Sequence, residues 1–148
     1  MSRPVDDALA LATRLRRAGH SVTLVLVATP VRWLKAHTGD DAAAEAVLLD
    51  GAWARAERSV PGAVLVARLD WTGALVVADA PLAEVDAGID DLVAGLDDLA
   101  PALDWHVAVA PVGLEALDAL RDVEDARALC AKQGRPTSVV VVERPPAS

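Results

Sequence analysis

Ala18-Gly19-His20-Ser21-Val22-Thr23-Leu24-Val25-Leu26-Val27-Ala28 is the stretch on which the fold turns. Val22 to Ala28 shows no polar alternation and is far shorter than a membrane span, so it reads as a strand buried on both faces, the pattern of a parallel strand. Gly19 supplies a left-handed cap for a helix just upstream. In that helix Pro4 suits a first helical position, Asp6 and Asp7 put negative charge at the positive end of the dipole, and Arg14, Arg16 and Arg17 sit at the other. Leu9, Ala12 and Leu15 make its inward stripe. Helix, Gly-His and buried strand form the second half of a βαβ unit, so the pattern is entered without its first strand.

Working outward, Thr29 and Pro30 end the strand, and Pro30 to Asp40 is a loop or short helix carrying Arg32, Trp33, Lys35 and His37. Asp40 or Asp41 caps a helix running to about Ser59, with Ala43, Val47, Trp53 and Ala56 at its apolar positions. Pro61-Gly62 is a break. Ala63 to Leu69 and Ala74 to Ala78 are Val-rich runs joined by Asp70-Trp71-Thr72-Gly73, a hairpin signal that makes the sheet mixed. Pro81 to Ala100 is an acidic helix with Ile89, Leu92, Val93, Leu96 and Leu99 inward and Asp86, Asp90, Asp91, Asp97 and Asp98 outward. Pro101 and Asp104 break it before a strand over Trp105 to Ala110. Gly113 to Lys132 is a helix with Leu117, Leu120, Val123, Ala126 and Cys130 on one side, closed by Gly134. Thr137 to Val142 is the last strand, and Pro145-Pro146 frays the end. The expectation is one α/β domain over residues 1–148, a three-layer sandwich around a largely parallel, mixed sheet of about five strands.

Composition narrows the classes of function. At 148 residues and 53% hydrophobic, with a mean hydropathy of +0.32, the chain can bury a core and is not disordered. Asp6 and Asp7 interrupt any signal-peptide core, and the lone Cys130 excludes an internal disulfide or a cysteine-rich zinc site. A cytoplasmic location is expected. A net charge of −8 and a pI near 4.7 argue against nucleic acid and anionic membranes as partners of this acidic protein. Four Trp with no Phe or Tyr leave Leu, Val and Ala to build the core. The apolar excess then points to a homo- or hetero-oligomer.

No Gly-rich phosphate loop follows the first strand, and no Gly-x-Ser-x-Gly elbow occurs, so no cofactor is expected. No two histidines have helical metal-ligand spacing, so no metal site is expected either. His20 reads as a capping or packing residue, and His106 as a core or edge imidazole. His37 lies beyond the carboxyl end of a strand, where α/β ligand sites form, or is simply exposed. Cys130 is a buried small hydrophobe or, if exposed beside a cation, a redox or sulfur-carrying thiol. Asp90-Asp91 and Asp97-Asp98 share a helix face that meets solvent or a basic partner, and Asp79 is the better-placed single acid. Trp33 and Trp71 serve an interface or pack over the sheet edge.

Asp6-Asp7-Ala8-Leu9-Ala10-Leu11-Ala12 followed by Ala18-Gly19-His20-Ser21-Val22-Thr23-Leu24 resembles the first helix and second strand of the DsrE-like sulfur-relay family. Gly73 to Asp79, with Pro81-Leu82 and Gly88-Ile89, is similar to a later strand and loop of that family, and Trp105-His106 to a pair ending many members. Asp79 or Ala80 stands where sulfur-carrying members place a cysteine, so the resemblance implies a non-catalytic member. The leading expectation is therefore a DsrE-like binding or assembly subunit acting through protein–protein interaction. The alternative is a small-molecule-binding enzyme. In it Thr29, Arg32, His37 and Asp79 form a site at the carboxyl ends of the strands, Arg32 holding an anion and His37 serving as acid–base.

Overall fold

The computed structural model describes residues 5–100, 103–133 and 137–142. Expectations placed on Pro4, Pro101, Gly134 and Pro145-Pro146 lie outside them. In chain order the elements are α1 (Val5–Arg17), β1 (Thr23–Ala28), α2 (Val31–Thr38), α3 (Ala42–Ser59), β2 (Ala63–Asp70), β3 (Gly73–Ala78), α4 (Leu82–Leu99), β4 (Trp105–Pro111), α5 (Ala116–Gln133) and β5 (Thr137–Val141).

Local chemistry accounts for most boundaries. Gly19, at φ +92, closes α1, with its N–H and that of His20 donating back to Arg16 and Leu15. Gly39, at φ 64, closes α2 in the same way. The Asp41 side chain accepts from the Ala43 and Ala44 N–H groups and so starts α3. The segment after Pro30 resolves as a helix, the second of the two forms left open for it.

The strands form one sheet in the order β2-β3-β1-β4-β5. Its β2–β3 pair is the hairpin anticipated from Asp70 to Gly73. The sheet is mixed but mostly antiparallel, because β1 runs antiparallel to both β3 and β4 and only β4–β5 is parallel. This corrects the expectation of a largely parallel sheet. A Val/Leu run reports that both faces are covered, and the direction of its neighbours is set by the path of the chain. β1 sits at the centre of the sheet, with both of its partners supplied from later in the sequence.

The expected three layers follow from the period of two along each strand. Val25, Val27, Val76, Val107 and Val109 point to one side, into a core closed by Leu34 of α2, Leu49, Ala52 and Trp53 of α3, and Val85, Ile89, Leu92 and Leu96 of α4. Leu24, Leu26, Leu75, Val77, Ala108 and Ala110 point to the other, under Ala8 and Ala12 of α1 and Leu120, Val123 and Ala126 of α5. The inward stripe of α3 keeps the expected Trp53 and Ala56 but not the expected Ala43 and Val47. Val47 is 74% exposed and Ala43 is also outside, while Leu49 and the charged Glu45 are buried. Leu117 of α5 is likewise about half exposed.

Candidate functional site

At its carboxyl end β1 registers Ala28 against Gly73 of β3 and against His106 of β4. The hairpin turn, the start of β4 and the start of α2 therefore converge there. Thr29 is fully buried and stitches them together: its N–H donates to the Thr72 carbonyl at 3.1 Å and its hydroxyl to the Asp104 carbonyl at 2.8 Å. Its hydroxyl proton is thus used in the scaffold. Beyond it lies a cavity of about 350 Å³ lined by Pro30, Arg32, Trp33, Asp104, His106, Cys130 and Ala131.

The lining chemistry is mixed. The Arg32 guanidinium sits 5.2 Å from the centre of the Trp33 ring, and both side chains are open to solvent. His106 is nearly buried, on the side of β4 that faces α5. Burial pulls its pKa below the ordinary value, the Arg127 charge pulls it further, and Asp104 partly opposes them, so the imidazole is neutral at pH 7. Cys130 is buried, with Sγ 3.9 Å from the Val107 carbonyl, and burial pushes its pKa up. It is a thiol packed into the cavity floor, not an exposed thiolate.

Beside the cavity, two cations hold the hairpin. Arg127 of α5 donates to Asp70 Oδ2 at 2.6 Å and to Thr72 Oγ1 at 3.4 Å, while Asp70 Oδ1 accepts the Thr72 N–H. Lys35 lies 4.5 Å from the centre of the Trp71 ring and 3.5 Å from both Glu45 Oε1 and Asp40 Oδ1. Glu45 itself is 2% exposed, and the Thr38 hydroxyl, which donates to the Leu34 carbonyl at 2.9 Å, lies 3.4 Å from its Oε1.

The four residues expected to share a site do not all meet. Thr29 and Arg32 lie at this end, but Thr29 is spent on the scaffold. His37 is on the exposed surface of α2 and does not line the cavity. Asp79 follows Ala78, which pairs with Thr23, so it sits at the opposite end of β1, about 20 Å away. There it binds His20, whose Nδ1 lies 2.9 and 3.0 Å from its two oxygens. His20 thus caps α1 through its backbone N–H, as expected, and its ring hydrogen-bonds to Asp79 where packing was the other expectation. Antiparallel neighbours explain the split, since the end of β3 and the end of β1 point in opposite directions. Asp90, Asp91, Asp97 and Asp98 are on exposed positions of α4. Trp33 and Trp71 are 42% and 47% exposed, each carrying a cation on its ring.

No single stretch of the sequence brings Asp104, His106, Lys35, Asp70 and Arg127 together. Only Asp104-Trp105-His106 gave a local sign, polar groups flanking the first residue of a buried strand. Among the described residues no three His, Cys, Asp or Glu side chains converge as metal ligands, and no helix is long and apolar enough to cross a membrane. A larger trough of about 680 Å³ runs along the outer edge of β2 between Asp7, Arg14, Glu57 and Val64. It is more open than the smaller cavity and has neither an indole nor an imidazole among its lining side chains, so the smaller cavity is the better candidate.

Neither a protein-family model nor a curated protein sequence matches the chain. Solved structures do match. A microbial GGDEF domain solved with bis-(3′,5′)-cyclic di-GMP superimposes with a TM-score of 0.75 at 18% identity, covering 91% of this chain and 88% of that one. The active GGEEF domain of a diguanylate cyclase from Vibrio cholerae gives 0.76 at 9% identity, over 95% and 94%. The GGDEF domain of DgcB from Caulobacter crescentus, in complex with cyclic di-GMP, gives 0.75 at 11%, over 93% and 87%. A further neighbour, the diguanylate cyclase SiaD from Pseudomonas aeruginosa, was solved with its activator SiaC, and the chain covers 56% of it.

The fold is thus that of GGDEF domains, and the DsrE-like resemblance is overturned. The Gly-His-x-Val-Thr-Leu string that carried it is what any α/β chain uses where a capped helix hands over to a buried strand. The expectation of a non-catalytic assembly subunit falls with it, because the neighbours include an active cyclase domain. Neither Gly-Gly-Asp-Glu-Phe nor Gly-Gly-Glu-Glu-Phe occurs in this chain, which has no Phe and no two adjacent glycines.

Proposed function

We propose that this chain is a small-molecule-binding domain on the GGDEF fold, taking a planar anionic ligand of the guanine-nucleotide class in the cavity between α2, β4 and α5. The observation that carries this reading is the convergence of Arg32, Trp33, Asp104 and His106 around one cavity of ligand size. A guanidinium offers a bidentate fork to an anion, an indole face stacks a ring, and a carboxylate accepts from a ring N–H. Two neighbours solved with cyclic di-GMP support the ligand class. In the enzymatic form of this reading His106 takes the acid–base role first expected of His37, since it is neutral at pH 7 and lines the cavity. The cyclase reaction itself is not carried over, because the stretch that names those domains is missing.

The test is calorimetric titration of the full chain with guanosine monophosphate, guanosine triphosphate and cyclic di-GMP, alongside Arg32→Ala and Trp33→Ala. Binding of at least one is expected, with each substitution weakening it about ten- to a hundredfold, the range of a lost charge-assisted hydrogen bond or a lost stacking face. If none of the three binds, or both variants bind like the parent, the reading fails.

A further inference from the structure

We infer that the cavity selects a single ring system carrying one anionic group and discriminates against polyphosphates and dinucleotides. This rests on the cavity being the ligand site, as proposed above, and specifies what that site admits.

Charge is the first ground. Among the described residues lining the cavity, Arg32 is the one cation and Asp104 faces the same space. Two cations outside the lining, Arg127 and Lys35, are engaged. Arg127 is held by Asp70 at 2.6 Å, and Lys35 lies between Glu45 and Asp40 at 3.5 Å from each. One anionic group can be taken by the Arg32 fork. Further phosphates would meet Asp104 with no second cation among the described residues that line the cavity, and no metal-ligand cluster of carboxylates is found among the described residues to hold a bridging ion. The neutral His106 imidazole adds a donor or acceptor for a ring edge without adding positive charge.

Size is the second ground. A cavity of about 350 Å³ lies at the lower end of ligand pockets and equals roughly a dozen water volumes. Stacking one ring on Trp33 leaves space for one small charged group beside Arg32. A second purine would have to lie in solvent.

The experiment compares affinities of the full chain for guanosine monophosphate, guanosine triphosphate and cyclic di-GMP at pH 7.5 and fixed salt, with and without Mg²⁺, and repeats them on Asp104→Asn. The monophosphate is expected to bind at least ten times tighter than either of the others, with Mg²⁺ making no difference to that order. Asp104→Asn should narrow the gap between triphosphate and monophosphate several-fold by removing the repelling carboxylate. A triphosphate or cyclic dinucleotide that binds as tightly as the monophosphate overturns the inference while leaving the ligand site standing. A ratio unchanged in Asp104→Asn overturns the role given to that carboxylate, and absence of binding by all three removes the site reading as well.

Discussion

Replacing Lys35 by Met strands a buried charge, and its cost can be worked from the contacts. Glu45 is 2% exposed, and Lys35 is its cationic partner at 3.5 Å; otherwise it has the Thr38 hydroxyl at 3.4 Å. Removing one member of a buried pair costs about 3–5 kcal/mol. Here the ammonium is 39% exposed and the contact is long, which brings the expected loss down to about 2–3 kcal/mol. Losing the half-exposed contact with Trp71 adds about 0.5–1 kcal/mol. The Asp40 contact, on a carboxylate 76% exposed, adds nothing measurable. At about 2–4 °C per kcal/mol for a chain of this size, Lys35→Met should melt about 5–15 °C below the parent. In a Glu45→Gln background no charge is stranded, so the same substitution should cost only about 1 kcal/mol, chiefly the aromatic contact. Urea unfolding followed by far-ultraviolet circular dichroism on the four proteins closes the cycle. If Lys35→Met costs the same in both backgrounds to within about 0.5 kcal/mol, Glu45 is not held by Lys35 and the reasoning is wrong.

Three further outcomes follow from the same contacts. The folded pKa of His106 is depressed, so the unfolded chain takes up that proton first; stability from this residue is complete above about pH 6.5 and is lost as pH falls. Urea midpoints between pH 7.5 and 5 should therefore drop more for the parent than for His106→Gln, and parallel curves would contradict a buried neutral imidazole. Cys130, buried and with its pKa raised, should resist iodoacetamide in the native protein and react at once in urea, and stability should decline as pH rises past the ordinary thiol range. Gly62→Ala should cost more than about 2 kcal/mol in urea unfolding, because Gly62 has φ +73 and a Cβ there would lie 2.7 Å from the Asp79 carbonyl oxygen. Gly113→Ala, where a Cβ meets nothing within 4 Å, should stay within about 0.5 kcal/mol of the parent.

Much of the fold could be read from local signals. Gly19 marks the end of α1, Asp41 the start of α3, and Asp70 to Gly73 the hairpin, because caps and tight turns are made by neighbouring residues. The core stripe of α3 is legible at Trp53 and Ala56 but not at Ala43 and Val47, since its Ala-rich first half offers several apolar faces and packing chooses among them. The candidate site was legible only in part. Arg32 and Trp33 stand out locally as residues after a strand, whereas their partners Asp104 and His106 come some seventy residues later.

The sequence by itself determined the α/β class, the mixed sheet, the hairpin and the nearly continuous burial of β1, all properties of segments shorter than about twenty residues. Tertiary structure decided the rest. Strand order β2-β3-β1-β4-β5 turned β1 antiparallel to both neighbours, which carried Asp79 away from Thr29 and paired it with His20. The same order brought His106 alongside Ala28. Hydropathy records how deeply a strand is buried, but the ends that meet depend on chain direction, and direction is set by contacts between residues far apart in sequence. That is why the opening Val22 to Ala28 run foretold a strand buried on both faces but neither the direction of its neighbours nor the residues gathered at its end.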